Sequence, residues 1–105
     1  MNGVQVVRQT GETRLVFEPS LDVAHAQALY QELGQELDRA RATPGVLTLD
    51  ASHVERIDAS TLQLLAAFCR AARDAGLSVR WSGASPVLCS AAALLDLHEM
   101  LERPS

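Results

Sequence analysis

The chain contains no lysine; all nine of its cationic side chains are arginine. Chemistry that needs a lysine amine, such as Schiff-base formation, is therefore excluded. Cysteine is scarce. Cys69 and Cys89 form no Cys-x-x-Cys pair, and a small secreted domain usually carries more. This usage predicts a reduced, cytoplasmic chain with two buried, inert thiols. No apolar run approaches the roughly 20 residues of a membrane span. The N-terminus lacks the charged and long apolar regions of a secretory signal, so direct membrane insertion is not expected. Neither G-x-x-x-x-G-K-[ST] nor G-x-G-x-x-G occurs, so no phosphate-cradling glycine loop is evident. No Gly-x-Ser-x-Gly elbow is present. His25, His53 and His98 are scattered without metal-ligand spacing. Together these absences predict a protein that is not an enzyme and uses no metal or cofactor.

The 105 residues fit one small domain over 1–105. A chain of this size hides roughly two-thirds of its unfolded surface, enough for a modest core. Its 48 % hydrophobic content supports packing over disorder. Thirteen acidic groups against nine basic ones leave a net charge of −4. Such a surface repels nucleic-acid phosphates and anionic membranes, and no basic cluster offsets it.

Val4, Val6 and Val7, then Leu15, Val16 and Phe17, form two β-rich runs. The polar Gln9-Thr10-Gly11-Glu12 between them predicts an N-terminal hairpin, stopped by Pro19. Residues 20–41 read as an amphipathic helix capped by Ser20 or Asp22. Ala26, Leu29, Tyr30, Leu33, Leu37 and Ala40 are placed on its inner face. Gln31, Glu32, Gln35, Glu36 and Arg39 are placed toward water. Thr43-Pro44-Gly45 ends this element. Val46-Leu47-Thr48-Leu49-Asp50 suits a central strand covered on both faces. A loop over 51–58 leads into a second helix over 59–74, with Leu62, Leu65, Ala66, Cys69 and Ala72 inward and Gly76 as its stop. Leu77-Ser78-Val79-Arg80-Trp81 alternates as a strand, broken at Gly83. Trp81 is read as core or sheet-face packing. Ser85 caps a third helix to about Leu95, with Pro86 at its first position. Residues 97–101 suit a last short turn, and about 102–105 a frayed tail. The order β-β-α-β-α-β-α predicts an α/β fold: one mixed β-sheet with an N-terminal antiparallel hairpin and helices packed against it.

Polar groups concentrate in Asp50-Ala51-Ser52-His53-Val54-Glu55-Arg56-Ile57-Asp58-Ala59-Ser60-Thr61-Leu62, where a strand passes through a loop into a helix. Asp58 as N-cap would use the free N–H groups and partial positive charge of the first turn. Ser60 and Thr61 would follow at the second and third helical positions. A phosphate added there would meet those N–H groups and repel the Asp58 carboxylate. His53 and Arg56 lie in the loop beside it, in reach of a partner or a phosphate. Ordinary helix capping accounts for the same residues without a switch.

The run L-T-L-D-A-S-H-V-E-R-I-D-A-S-T-L-Q-L-L resembles the STAS-domain signature: an apolar strand ending in Asp, a loop, then Asp-[Ser/Thr]-[Ser/Ala]-Gly-Leu opening a helix. The element order resembles that fold over nearly the whole chain. STAS domains include bacterial anti-sigma factor antagonists and the small STAS subunit of an ABC phospholipid-transport complex. In the antagonists the second serine of Asp-Ser-Ser-Gly is phosphorylated by an anti-sigma kinase; the matching residue here is Ser60, with Asp58 matching the preceding Asp. Ala59 stands where the first Ser/Thr is expected and Thr61 where Gly is expected. The resemblance thus implies a regulatory interaction module with a switch and partner-binding surface at His53, Arg56, Asp58, Ala59, Ser60 and Thr61. By the same resemblance Ser60 is the implied phosphorylation site and Thr61 a second candidate. The implied partner is an anti-sigma factor or related sensor kinase, or a chemotaxis or two-component protein. The alternative is a constitutive transport subunit held by a transporter ATPase, a branch whose characteristic Thr is replaced by Ala59. A third possibility implied by the family is nucleotide binding.

Overall fold

The computed structural model describes residues 4–9, 11–42, 45–97 and 100, and of Val23, His25 and Ala40 the backbone only. Thr10, Thr43, Pro44, His98 and the tail over 101–105 lie outside the described residues. Strand β1 (Val4–Gln9) and strand β2 (Glu12–Phe17) form the expected antiparallel hairpin, with Val4 opposite Phe17 and Gln9 opposite Glu12. Strand β4 (Val46–Ala51) lies parallel to β2 on one side and to strand β6 (Ser78–Ala84) on the other. The sheet order is β1-β2-β4-β6. Helices α1 (Val23–Ala42), α2 (Ala59–Asp74) and α3 (Pro86–Leu94) make the connections and the C-terminal layer. The fold is therefore α/β with a mixed sheet.

Two elements were not anticipated. Ser20–Leu21, expected inside the first helix, is strand β3, and Arg56–Ile57, expected in a loop, is strand β5. They pair in parallel as a separate two-stranded sheet, Ser20 with Arg56 and Leu21 with Ile57. Two-residue strands carry too little periodicity to be read locally. Consequently α1 starts at Val23, where Asp22 Oδ1 accepts the Ala24 N–H at 3.1 Å.

Among the described residues the helices pack on one face of the sheet, which corrects the reading of β4 as a strand covered on both faces. Thr48, on the other face, is buried by its neighbours' side chains rather than by a helix. Leu15, Phe17, Leu47, Leu49, Val79 and Trp81 point inward and are buried. Arg14, Asp50, Arg80 and Ser82 alternate to the other face, where Arg80 and Ser82 are exposed and Arg14 meets Asp50 at 3.3 Å. Thr48 and Asp50 within an otherwise apolar run were the two-residue signal for this. Nor does Gly83 end the last strand. Leu49 pairs with Trp81 but Asp50 with Gly83, so Ser82 is the extra residue of a β-bulge and the strand continues to Ala84.

The core joins Leu29 and Leu33 of α1, Leu62, Leu65, Phe68, Cys69 and Ala72 of α2, and Leu88 and Ala92 of α3 to the inner sheet face. Trp81 stacks on Phe17 at 6.4 Å and donates its indole N–H to the Met100 carbonyl at 2.9 Å. Three side chains depart from the expected pattern. Tyr30 is 64 % exposed, because α1 presents Leu29, Leu33 and Glu36 inward and Tyr30 lies one step round the helix. Glu36, expected in water, is buried and ion-paired with Arg8 and Arg39. Cys89, expected in the core, is exposed on α3, whereas Cys69 is buried and its thiol is pushed up to about 12 by burial. Among the described residues no helix is long and apolar enough to cross a membrane.

Candidate functional site

Loop 51–58 is fixed from below before it presents anything to solvent. Val54 is buried in the core. The Pro19 carbonyl accepts the Glu55 and Arg56 N–H groups at 2.7 and 3.0 Å, and the Leu21 carbonyl accepts the Asp58 N–H at 3.4 Å. The two-stranded sheet β3–β5 thus ties the loop to the segment entering α1. At the start of the loop, Asp50 Oδ1 accepts both the Ser52 N–H at 3.0 Å and the Ser52 hydroxyl at 2.7 Å. These bonds, with Arg14 beside them, hold the Asp50 carboxyl below its ordinary value of 3.8. A Cβ on Gly83 would lie 3.1 Å from the Ser52 Cβ and 3.3 Å from Asp50 Oδ1, so a side chain at the bulge would press this turn out of place by a few tenths of an ångström. Asp50, Ser52 and Gly83 are positioning residues absent from the sequence-based set. The Asp-Ala-Ser order, an Asx-turn pattern, was the available signal.

At the far end of the loop Asp58 caps α2 as expected. Its backbone is extended (φ −99°, ψ 170°), and Oδ1 accepts the Thr61 N–H at 2.9 Å. The Ser60 hydroxyl donates to the same oxygen at 3.0 Å. Ala59 and Ser60 are exposed at the first two helical positions. Thr61 is not a surface hydroxyl. Its side chain is fully buried, with no hydrogen-bond partner for Oγ1 among the described residues. The physical reason is helical geometry: Thr61 is one step from Leu62 and four from Leu65, on the edge of the core-facing stripe. As a second phosphate acceptor Thr61 is therefore inaccessible in this conformation, and its side chain does not crowd Ser60 from the solvent side.

His53 and Arg56 are exposed, and no hydrogen bond or ion pair to another described residue holds either side chain. His53 borders a groove of about 500 Å³ with Val4, Gln5, Val16, Phe17, Glu18 and Pro19. Arg56 rides on β5, two residues before the cap. The structure thus brings Asp58, Ala59 and Ser60 into one exposed turn, sets Arg56 beside it, turns Thr61 inward and gives His53 to the neighbouring groove. Among the described residues no group of three His, Cys, Asp or Glu side chains could hold a metal ion.

A family model described as "Mlab, STAS domain" matches residues 4–102. The chain belongs to the STAS domain family. Among solved structures, the anti-sigma factor antagonist SpoIIAA in its unphosphorylated form matches with a TM-score of 0.72 at 10 % identity, covering 97 % of this chain and 88 % of that one. The Bacillus cell fate determinant SpoIIAA in its phosphorylated form matches at 0.71 and 10 % identity, covering 97 % and 91 %. Mglu matches at 0.64 and 22 % identity over 76 % of this chain, which spans only 19 % of the Mglu chain. At such identities these likenesses show the fold alone. No curated protein sequence matches the chain.

Proposed function

We propose that this STAS domain, acting as one unit over 1–105, is a non-enzymatic regulatory module. It binds a partner protein through loop 51–58 and the first turn of α2, and phosphorylation of Ser60 switches that binding. The supporting observation is the divergence of two adjacent hydroxyls: Ser60 is exposed on a fixed turn, whereas Thr61 is buried. A phosphoryl group on Ser60 removes the proton now donated to Asp58 and adds nearly two negative charges about 3 Å from a carboxylate. The free N–H groups of the first helical turn partly offset that repulsion, so the domain keeps its fold while its surface charge changes. The partner class that fits is an anti-sigma factor or related sensor kinase, or a chemotaxis or two-component protein, in the bacterial cytoplasm.

The test is a pull-down from the native host with wild-type, Ser60→Asp and Ser60→Ala baits, with intact-mass analysis of the bait. A kinase-domain partner lost from the Asp bait, with a phosphate mass on the wild type and none on the Ala bait, is the expected result. Equal recovery by all three baits without added mass overturns it.

One feature favours a second reading, a constitutive subunit of an ABC phospholipid-transport complex. Helix α3 and its C-cap expose Val87, Leu94 and Leu95, with Leu94 85 % exposed, a surface suited to permanent docking. A transporter ATPase retained equally by all three baits supports that reading.

A further inference from the structure

The opposite end of the sheet from Ser60 holds a second candidate site. A cavity of about 440 Å³ opens where β1, β2 and β4 meet the last turn of α1, bordered by Arg8, Gly11, Arg39, Ala42, Gly45 and Leu47, among others. Its volume is that of a small-molecule pocket. Arg8 reaches it from the edge strand and Arg39 from the helix. Both donate to one oxygen of Glu36, whose side chain is only 2 % exposed, Arg39 at 2.9 Å. Each guanidinium carries five N–H donors, and each of these contacts uses one. The arginine side chains are 49 % and 56 % exposed, so donors remain for a ligand.

Charge on this wall does not cancel. Two guanidiniums against one buried carboxylate leave a single positive charge. Glu12, also at the rim, turns away: its carboxylate accepts the Thr48 hydroxyl at 2.7 Å on the open face of the sheet. Arg41 does not add to the wall's excess, since it faces Asp38 at 3.8 Å. Beside the arginines, the Gly45 backbone packs against Gly11 too closely for a side chain at position 45. A Cβ on Gly45 would lie 2.8 Å from the Gly11 carbonyl oxygen. The negative pole of α1 ends at Ala42 on the same wall and opposes a dense charge. That balance selects a singly charged, planar group that two forked donors can grip, in preference to a phosphate dianion.

We propose that Arg8 and Arg39, oriented by the buried Glu36, form a binding site for the carboxylate of a small organic acid. The site is independent of the Ser60 reading, since the two lie at opposite ends of β4.

The test is an NMR titration of the full chain with sodium acetate and sodium lactate, against sodium chloride and inorganic phosphate at matched ionic strength. The probes are the Gly11 and Gly45 amides and the arginine side-chain N–H signals. Saturable shifts at these groups with either carboxylate, weaker ones with phosphate and none with chloride are expected. Arg39→Gln, at a half-exposed helix position, should weaken binding about tenfold, and Arg39→Lys should restore only part of it. Non-saturating shifts, equal shifts with chloride, tighter binding of phosphate than of either carboxylate, or unchanged affinity in folded Arg39→Gln would overturn the proposal.

Discussion

Asp58 at the start of α2 and Ser85 at the start of α3 make the same capping bond. Each accepts the N–H three residues on, Thr61 at 2.9 Å and Leu88 at 3.1 Å. Their surroundings differ. Ser85 is neutral and buried, and Pro86 follows it at a position where its missing N–H removes no helical bond. Asp58 is acidic and half-buried, and the exposed Ser60 stands two residues on. Away from the starts the contrast reverses. Helix α2 turns Leu62, Leu65, Phe68 and Cys69 into the core, while α3 buries only Leu88 and Ala92 and leaves Val87 and Leu94 outside. A helix apolar on nearly every side yet half-exposed has a face available to another surface. Capping chemistry thus sets where a helix starts, and the environment of the cap sets whether that start can serve as a signal.

The thiols give the widest contrast. With its pKa pushed to about 12 from 9.0, Cys69 holds about a thousandfold less thiolate than an ordinary cysteine near pH 8, and burial blocks access as well. Labelling with a disulfide reagent should modify Cys89 alone in the native protein and both thiols in guanidinium. Equal native rates would mean that the inner face of α2 opens as freely as the outer face of α3.

The caps come next. Ser85→Ala strands the Leu88 N–H in a buried site and should lower stability by about 1–2 kcal/mol in urea unfolding. Asp58→Ala should lower it by about 1 kcal/mol, because water reaches the first turn of α2. A larger loss for Asp58→Ala would make that cap chiefly structural and count against the proposed switch.

The smallest effect belongs to Thr61. Its buried hydroxyl lacks a partner among the described residues, so Thr61→Val should leave stability unchanged or raise it by up to about 1 kcal/mol, while Ser60→Val gains nothing. Destabilisation by Thr61→Val would show that the hydroxyl is hydrogen-bonded in solution.

Both caps were legible in the sequence because they depend on residues three apart, and so was the inner stripe of α2, which depends on helical periodicity. The candidate turn was legible for the same reason, down to the helical positions of Ser60 and Thr61. Their opposite exposures were not, since a stripe edge is decided by what packs against it. Glu36 shows the same limit: its polarity pointed to water, but Arg8, 28 residues away on the edge strand, joins Arg39 in neutralising it in a buried site. The Pro19 carbonyl holding loop 51–58 was equally hidden, because an acceptor of the main chain carries no side-chain signal.

By itself the sequence determined the order of the four main-sheet strands and the three helices, the starts of α2 and α3, most of the apolar core and the STAS signature around Asp58 and Ser60. Each rests on interactions between residues a few positions apart. Only the tertiary structure decided that the helices pack on one face of the sheet, that β3 and β5 lock loop 51–58, that Ser82 bulges past Gly83, and that Arg8, Glu36 and Arg39 meet beside a cavity. Those features join segments distant along the chain, and burial and pairing there follow from how whole elements pack.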